Sequence, residues 1–282
     1  MHTLATRVLR TKQMPFLFCP GCGDGIVVHL TARAVDELGI LDRLCTVGAI
    51  GCSSWIATYF NVDFMKILHG RALPAAIALK LTNPARKVLV FTGDGDCVGI
   101  GGNHFIHAAR KNIDLTVVMV NNQIYGMTGG QVAPTTPLDA TTTTTPYGNL
   151  EPPLDACELA KAAGATFVSR WTTAHPLQLL GAIRRAIQHP GFAFVEVMSP
   201  CPVQTGRYIH GSGDAVELST WLKESCLTQA RMQRLAPEER EGKILVGDFV
   251  EEIRPEYTER CYRLIARLRD GNSDGWQTGS SR

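Results

Sequence analysis

No apolar run in this chain approaches the ~20 residues that a bilayer-spanning helix needs, so no membrane partner is expected. The first residues carry Arg7, Arg10 and Lys12 without the apolar stretch of a secretory signal. A charge excess of one sign is missing too. The 28 Lys and Arg residues against 26 Asp and Glu leave a formal +2, which argues neither for nor against an acidic partner. With no basic run in view, no nucleic-acid partner is expected. There is no internal repeat, and no paired cysteine framework of the secreted kind. Nine cysteines, an odd count in 282 residues, fit a reducing cytoplasm in which some thiols hold a metal. What is present suits a globular protein of one large or two small domains, with 45% hydrophobic and 19% charged residues.

Periodicity divides the chain into alternating strands and helices. Apolar positions at Ile26, Val27, Leu30, Ala34, Val35 and Leu38 predict a helix from Asp24 to Leu38, ended by Gly39. Strands are expected at Leu44–Val47, Phe64–Leu68, from Val88 to Thr92, Leu115–Val120, Thr166–Val168 and Ala193–Val197. Helices are expected over Leu73–Leu81, Gly102–Arg110, Asp155–Ala163 and Pro176–His189. This alternation implies parallel βαβ units and an α/β fold. Residues 128–153, with Gly129-Gly130 and five prolines, break the pattern and read as a loop that covers a cofactor or meets a partner. Three regions follow: an N-terminal arm (1–18), an α/β domain (19–214) and a C-terminal helical extension (215–282). The extension has helical patterns near 217–235 and 256–269, and its last dozen residues, Gly271 to Arg282, read as disordered.

Two motifs end apolar strands and therefore meet at the carboxyl edge of the sheet: Gly93-Asp94-Gly95 and Asn121-Asn122. An Asp carboxylate and an Asn amide oxygen suit Mg²⁺, and the glycines let the backbone approach a diphosphate. Cys19-Pro20-Gly21-Cys22 places two thiols on a tight turn. Cys52 and Cys201 lie in other Gly/Pro-rich turns at strand ends. Four thiolates suit structural zinc or an iron–sulfur cluster, and spacing does not choose between them. Cys45, Cys97, Cys157, Cys226 and Cys261 read as small buried hydrophobes. His104 and His107 read as one face of a packed helix, and Arg33, Lys80 and Arg184-Arg185 as solvated faces.

In register, Cys19-Pro20-Gly21-Cys22-Gly23, Gly51-Cys52-Ser53, His69-Gly70-Arg71-Ala72, Gly93-Asp94-Gly95-Asp96, the run from Asn121 to Gln131 and Ser199-Pro200-Cys201-Pro202 resemble the β subunit of the 2-oxoacid:ferredoxin oxidoreductases. Gly101 to His107 and Gly129 to Pro137 bring the 2-oxoglutarate branch nearest. The resemblance covers about residues 15–210 and implies a thiamine-diphosphate-binding fold, a parallel sheet with helices on both faces. It also implies that Asp94, Asn122 and the Ile124 carbonyl bind Mg²⁺. Thiamine diphosphate would lie among His69, Gly70, Gly93, Gly95, Asp96, Tyr125, Gly126, Met127 and Thr128, with Asp24 and Ser53 nearby. Cys19, Cys22, Cys52 and Cys201 would hold one [4Fe–4S] cluster. The implied reaction is oxidative decarboxylation of a 2-oxo acid with coenzyme A, the electrons passing to ferredoxin. An α subunit would supply the glutamate at the cofactor's N1′ and most coenzyme A contacts, in an (αβ)₂ assembly.

One position departs. Relatives often carry Lys or Arg three residues after the third cysteine, and this chain has Trp55. That leaves pyruvate and branched or aromatic 2-oxo acids open beside 2-oxoglutarate. Arg71 is a candidate replacement, so Asp24, Ser53, Trp55 and Arg71 are the side chains expected nearest the chemistry. A non-redox thiamine-diphosphate lyase or synthase would leave the four cysteines unexplained, and a zinc- or cluster-binding assembly subunit would leave the Mg²⁺ motif unexplained.

Overall fold

The computed structural model describes residues 3–270, so the tail expected to be disordered lies outside the described residues. Eight strands form one sheet: β1 (Leu44–Gly48), β2 (Asp63–Lys66), β3 (Lys87–Gly93), β4 (Leu115–Asn121), β5 (Phe167–Thr172), β6 (Phe192–Met198), β7 (Cys226–Thr228) and β8 (Ile244–Glu251). Their order is β2-β1-β3-β4-β6-β5-β8-β7. The first six in that order run parallel. Strand β8 joins β5 antiparallel, and β7 runs parallel to β8. The helices are α1 (Thr3–Val8), α2 (Asp24–Leu38), α3 (Ala72–Thr82), α4 (Gly102–Lys111), α5 (Ala156–Ala163), α6 (Pro176–Gln188), α7 (Thr205–Tyr208), α8 (Ala215–Ser225), α9 (Gln229–Met232) and α10 (Tyr257–Arg269).

Every residue of β4, β5 and β6 is buried, as a parallel sheet covered on both faces requires. On one face, Val27, Val28 and Val35 of α2 meet Leu179, Ile183 and Ile187 of α6 over Phe91, Val118 and Val195. On the other, Ala72 and Ala76 of α3, Phe105 and Ala108 of α4 and Ala160 of α5 cover Val90, Val117 and Phe194. Helix α2 begins at Asp24, an acid favoured by the helix dipole, and stops at Gly39 with φ of 60°. The α5 cap is Asp155, whose carboxylate accepts from Glu158 N at 2.9 Å.

Three expectations need correction. The segment after residue 214 is not purely helical: β7 interrupts the pattern near 217–235, and β8 extends the sheet. Strand β8, between β5 and the short edge strand β7, escapes a reading by alternation because it is half exposed and has Gly247 and Asp248 within it. Salt bridges from Arg185 of α6 to Asp248 and Glu251 help dock it, the latter at 3.3 Å. Lys80 is not a solvated residue. It is buried and pairs with Asp114 at 2.5 Å, while donating to the carbonyls of Pro84 and Arg86. Cys261, on α10, is half-exposed, whereas Cys45, Cys97, Cys157 and Cys226 are buried.

The N-terminal residues pack closely. Val8 and Leu9 are buried, and the Arg10 guanidinium donates to Phe60 O at 2.7 Å and Val62 O at 2.6 Å. Residues 128–153 contain no helix or strand but are internally bonded. The Asn149 amide donates to Thr136 O, Pro137 O and Glu151 O at 3.0, 3.1 and 3.0 Å. Thr136 ties this loop to the end of β4 by donating to Gln123 O at 2.6 Å.

Candidate active site

The chain leaves β1 toward β2 on one side and leaves β3 toward β4 on the other, so the carboxyl ends of β1 and β3 diverge. Such a switch point is where open α/β sheets form their ligand crevice. A cavity of about 150 Å³ opens there. It is lined by Ile50, Cys52 and Ser53 after β1, His69 after β2, Gly93 to Asp96 after β3, and Asn122, Ile124, Tyr125, Gly126, Met127 and Thr128 after β4.

Asp94 is 3% exposed, and one of its carboxylate oxygens accepts the Thr135 hydroxyl from the covering loop. Burial, the main cause, pushes its pKa up to about 7, against the bonds from Thr135 and the Gly95 amide. No cation pairs with Asp94 among the described residues. A buried carboxylate without a counter-charge, beside an amide oxygen and a buried carbonyl, fits a hard dication with room for phosphate oxygens. The Asn122 side-chain oxygen accepts from Ile124 N at 3.2 Å, which curls the chain so that both residues face the cleft.

Two glycines are required by close approach. A Cβ on Gly95 would lie 2.2 Å from the Tyr125 ring, whose hydroxyl donates to Gly95 O at 3.1 Å. Gly70 has φ of 70°, and a Cβ there would lie 2.6 Å from Ile100. Asp96 differs from its expected role. One carboxylate oxygen faces His69 Nδ1 and Gly70 N, each at 2.6 Å, and the other accepts from Thr92 Oγ1 at 2.7 Å. Asp96 therefore lines the cleft but spends its oxygens on the turn that carries His69.

A second cavity, about 340 Å³, is lined by all four motif cysteines, Cys19, Cys22, Cys52 and Cys201, together with Trp55. None of the four is in a disulfide. Burial raises the pKa of Cys52 to about 11, with added repulsion from Asp24, Cys201 and Cys19. Burial also raises Cys22 and Cys201, and each of these thiols feels charge from other members of the set. The amides of Gln204, Thr205 and Val203 donate toward Cys201 and act in the opposite direction. Four free thiols on one cavity, one of them met by backbone N–H groups, suit a thiolate-ligated metal centre, since a bound metal removes their protons outright, although no three of their sulfur atoms lie within 4.8 Å of one another. Cys52, Asn122, Gly126 and Met127 line both cavities, so the two share a wall.

Asp24 is 1% exposed at the start of α2 and its Oδ1 has no partner. Burial lifts its pKa to about 6 despite bonds from Ser53 and Cys22. Three expected site residues line neither cavity: Arg71, which is exposed, and Asp24 and Gly70, which are buried. Three functional candidates carried no local signal. Thr135 reaches Asp94 from 41 positions away. Lys66 lies against Trp55, with Nζ 3.2 Å from the ring centroid. Buried Glu196 holds Asn121 Nδ2 at 2.7 Å, behind Asn122.

A family model, thiamine pyrophosphate enzyme, C-terminal TPP binding domain, matches residues 49–197. The chain is 46% identical to the 2-oxoglutarate synthase subunit KorB of Methanocaldococcus jannaschii, over 95% of this chain and 99% of the relative. It is also 46% identical to the same subunit of Methanothermobacter marburgensis, over 92% and 91%. A solved structure, 2-oxoglutarate:ferredoxin oxidoreductase from Magnetococcus marinus with 2-oxoglutarate, coenzyme A and succinyl-CoA bound, superposes with a TM-score of 0.80 at 30% identity. That match covers 94% of this chain and 90% of the other.

Proposed function

This chain belongs to the β subunits of the 2-oxoglutarate:ferredoxin oxidoreductases, a thiamine-pyrophosphate-dependent family, and we propose how its cleft divides the work. The reaction is oxidative decarboxylation of 2-oxoglutarate with coenzyme A, the electrons going to ferredoxin. When bound, thiamine diphosphate supplies an electron sink for loss of CO₂, and a neighbouring [4Fe–4S] cluster supplies a one-electron outlet.

Asp94, Asn122 and the Ile124 carbonyl would hold Mg²⁺, with Gly93 and Gly95 letting the backbone close on the diphosphate. Tyr125 fixes the Gly95 carbonyl by its hydroxyl bond. His69, its Nδ1 held by the Asp96 carboxylate, presents its ring to the cleft beside the diphosphate site. Thr128 sits at the same rim. Ile50 and Met127 give the cleft apolar walls that exclude water from the reacting centre. Cys19, Cys22, Cys52 and Cys201 would hold the cluster; Ser53 lines the cofactor cleft, and Asp24 receives bonds from Ser53 and Cys22.

No glutamate lines the cleft among the described residues. The carboxylate that activates the aminopyrimidine therefore comes from an α subunit, which also brings most coenzyme A contacts. The family resemblance points to an (αβ)₂ assembly. Nine free cysteines suit a reducing cytoplasm.

The observation that carries this reading is the shared wall of Cys52, Asn122, Gly126 and Met127 between the two cavities. Its test is the co-expressed αβ complex, assayed for reduction of a low-potential dye. Reduction that requires 2-oxoglutarate, coenzyme A and thiamine diphosphate together supports it. A colourless complex containing zinc and lacking that activity would refute it.

A further inference from the structure

Three residues other than glycine take a positive φ among the described residues: Asn112, Gln123 and Asp139. Asn and Asp enter the left-handed region readily, because a short polar side chain bonds to the local backbone. Gln lacks that help, yet Gln123 has φ of 62°. It stands between Asn122 and Ile124, the two residues after β4 that would hold Mg²⁺. Both of those line the cofactor cleft, whereas Gln123 lines a different, smaller cavity with Cys201 and His210.

Side chains hold this strained residue by its own peptide groups. Gln123 N donates to the Asn121 side-chain oxygen at 3.0 Å, and Gln123 O accepts from the Thr136 hydroxyl at 2.6 Å. Asn121 is fixed in turn, since its amide nitrogen donates to Glu196 at 2.7 Å. Thr136 is fully buried, and its oxygen accepts from Ala133 N at 2.8 Å, which leaves its one proton for Gln123 O. The preceding residue, Thr135, gives its hydroxyl to Asp94. Consecutive threonines of the covering loop thus grip both arms of the Mg²⁺ site, one after β3 and one after β4. Neither threonine lines the cleft.

We propose that Thr136 is a positioning residue for the Mg²⁺ site: with Asn121 it holds Gln123 left-handed, so that Asn122 and Ile124 face the cleft before a metal arrives. This rests on the functional reading given above. Backbone strain kept in place by surrounding bonds, at a turn that carries ligands, is preorganisation.

The test uses the co-assembled αβ complex and follows thiamine diphosphate binding by calorimetry as Mg²⁺ is varied. Thr136→Val keeps the shape and removes the hydroxyl. It should raise the Mg²⁺ concentration for half-saturation about 10-fold, the effect of removing a group that orients a metal ligand. Thr136→Ser should restore the wild-type requirement. Gln123→Gly should bind as well as wild type, because glycine takes this φ freely, and added to Thr136→Val it should recover most of the loss. Gln123→Val, β-branched in the left-handed region, should by itself lose about 10-fold, which tests the turn without touching Thr136. A merely structural Thr136 would lower the melting temperature and leave the Mg²⁺ requirement alone. That result, no recovery by Gln123→Gly, or wild-type binding by Gln123→Val would each overturn the proposal. A wild-type complex that binds no thiamine diphosphate at any Mg²⁺ concentration would instead overturn the functional reading.

Discussion

The Asp96 carboxylate lies 2.6 Å from His69 Nδ1, and with Gly70 N and the Thr92 hydroxyl it closes the turn after β2 onto the loop after β3. Two strand ends that meet only in three dimensions are thereby locked in one relative position. Asp96 is 3% exposed and His69 projects into the cleft, so the carboxylate sets the imidazole rather than meeting the cofactor itself.

Replacing Asp96 should therefore act through His69. Asp96→Asn keeps the size but replaces the charged acceptor at His69 Nδ1 with a neutral amide oxygen, while the amide nitrogen donates to the Thr92 hydroxyl instead of accepting from it. Thiamine diphosphate affinity should fall about 10-fold or more, as when the partner that orients a ligating histidine is removed. His69→Ala should cost a similar amount, and the double variant little more than either single change, because both remove one unit. Titration of the cofactor against the four proteins measures this. Additive losses would mean that Asp96 and His69 act independently.

Asp94→Ala should remove Mg²⁺-dependent cofactor binding, with a loss of at least ~100-fold in apparent affinity. Without cofactor, the variant should be no less stable than wild type, since it relieves a carboxylate buried with no cation beside it. Thermal melts with and without Mg²⁺ and thiamine diphosphate read both effects. A variant still stabilised by the cofactor as strongly as wild type would take Asp94 out of the Mg²⁺ set.

Much of this site is legible in the residues because each motif ends a strand. Gly93-Asp94-Gly95 and Asn121-Asn122 announce the cleft, and the Asp24 and Gly39 boundaries of α2 follow from charge and backbone freedom. What escapes is what depends on distance along the chain. Thr135 finds Asp94, Lys66 finds Trp55 and Glu196 finds Asn121 through tertiary packing, and no local pattern marks them. Asp96 reads as one more residue along the diphosphate until its bonds to His69, Gly70 and Thr92 are seen. Strand β8 escapes because Gly247 and Asp248 interrupt a half-exposed strand, where burial leaves no clean alternation.

Cys52→Ser should lower the broad absorbance near ~400 nm and the iron content, because a serine oxygen is a poorer ligand than thiolate for this soft centre. Cys52 also walls the cofactor cleft, so dye reduction should fall with the colour. Cys45→Ser, on buried strand β1, should leave the spectrum unchanged and cost stability alone. An unaltered spectrum in Cys52→Ser would exclude Cys52 from the cluster.

The most consequential contact behind the cleft is the Arg170–Glu196 pair, at 2.6 Å with both side chains nearly sealed from water. Glu196 also accepts from Asn121 Nδ2 and the Cys157 thiol, while Arg170 reaches Asp155 at 2.6 Å and the β8 carbonyl of Leu245 at 3.3 Å. Asp155, Cys157 and Glu196 lie close enough to suggest a metal site, but the guanidinium already answers the two carboxylates. Removing it alone leaves Glu196 buried and uncompensated, so Arg170→Met should cost about 3–5 kcal/mol, with Glu196→Gln in the same chain recovering part of the loss. Asp155 is the exposed end of this network. Burial, its largest single influence, pushes its pKa up, but the Arg170 charge and the bonds it receives together hold it below the ordinary carboxylate value. The sign follows. Its contribution is present above the ordinary value and is lost as pH falls through the depressed one, so the stability gap between wild type and Asp155→Asn should be flat from pH ~7 to ~5 and shrink below pH ~4. Denaturant melts across that range measure it, and a gap that widened on acidification would mean that Arg170 does not stabilise the charged form of Asp155.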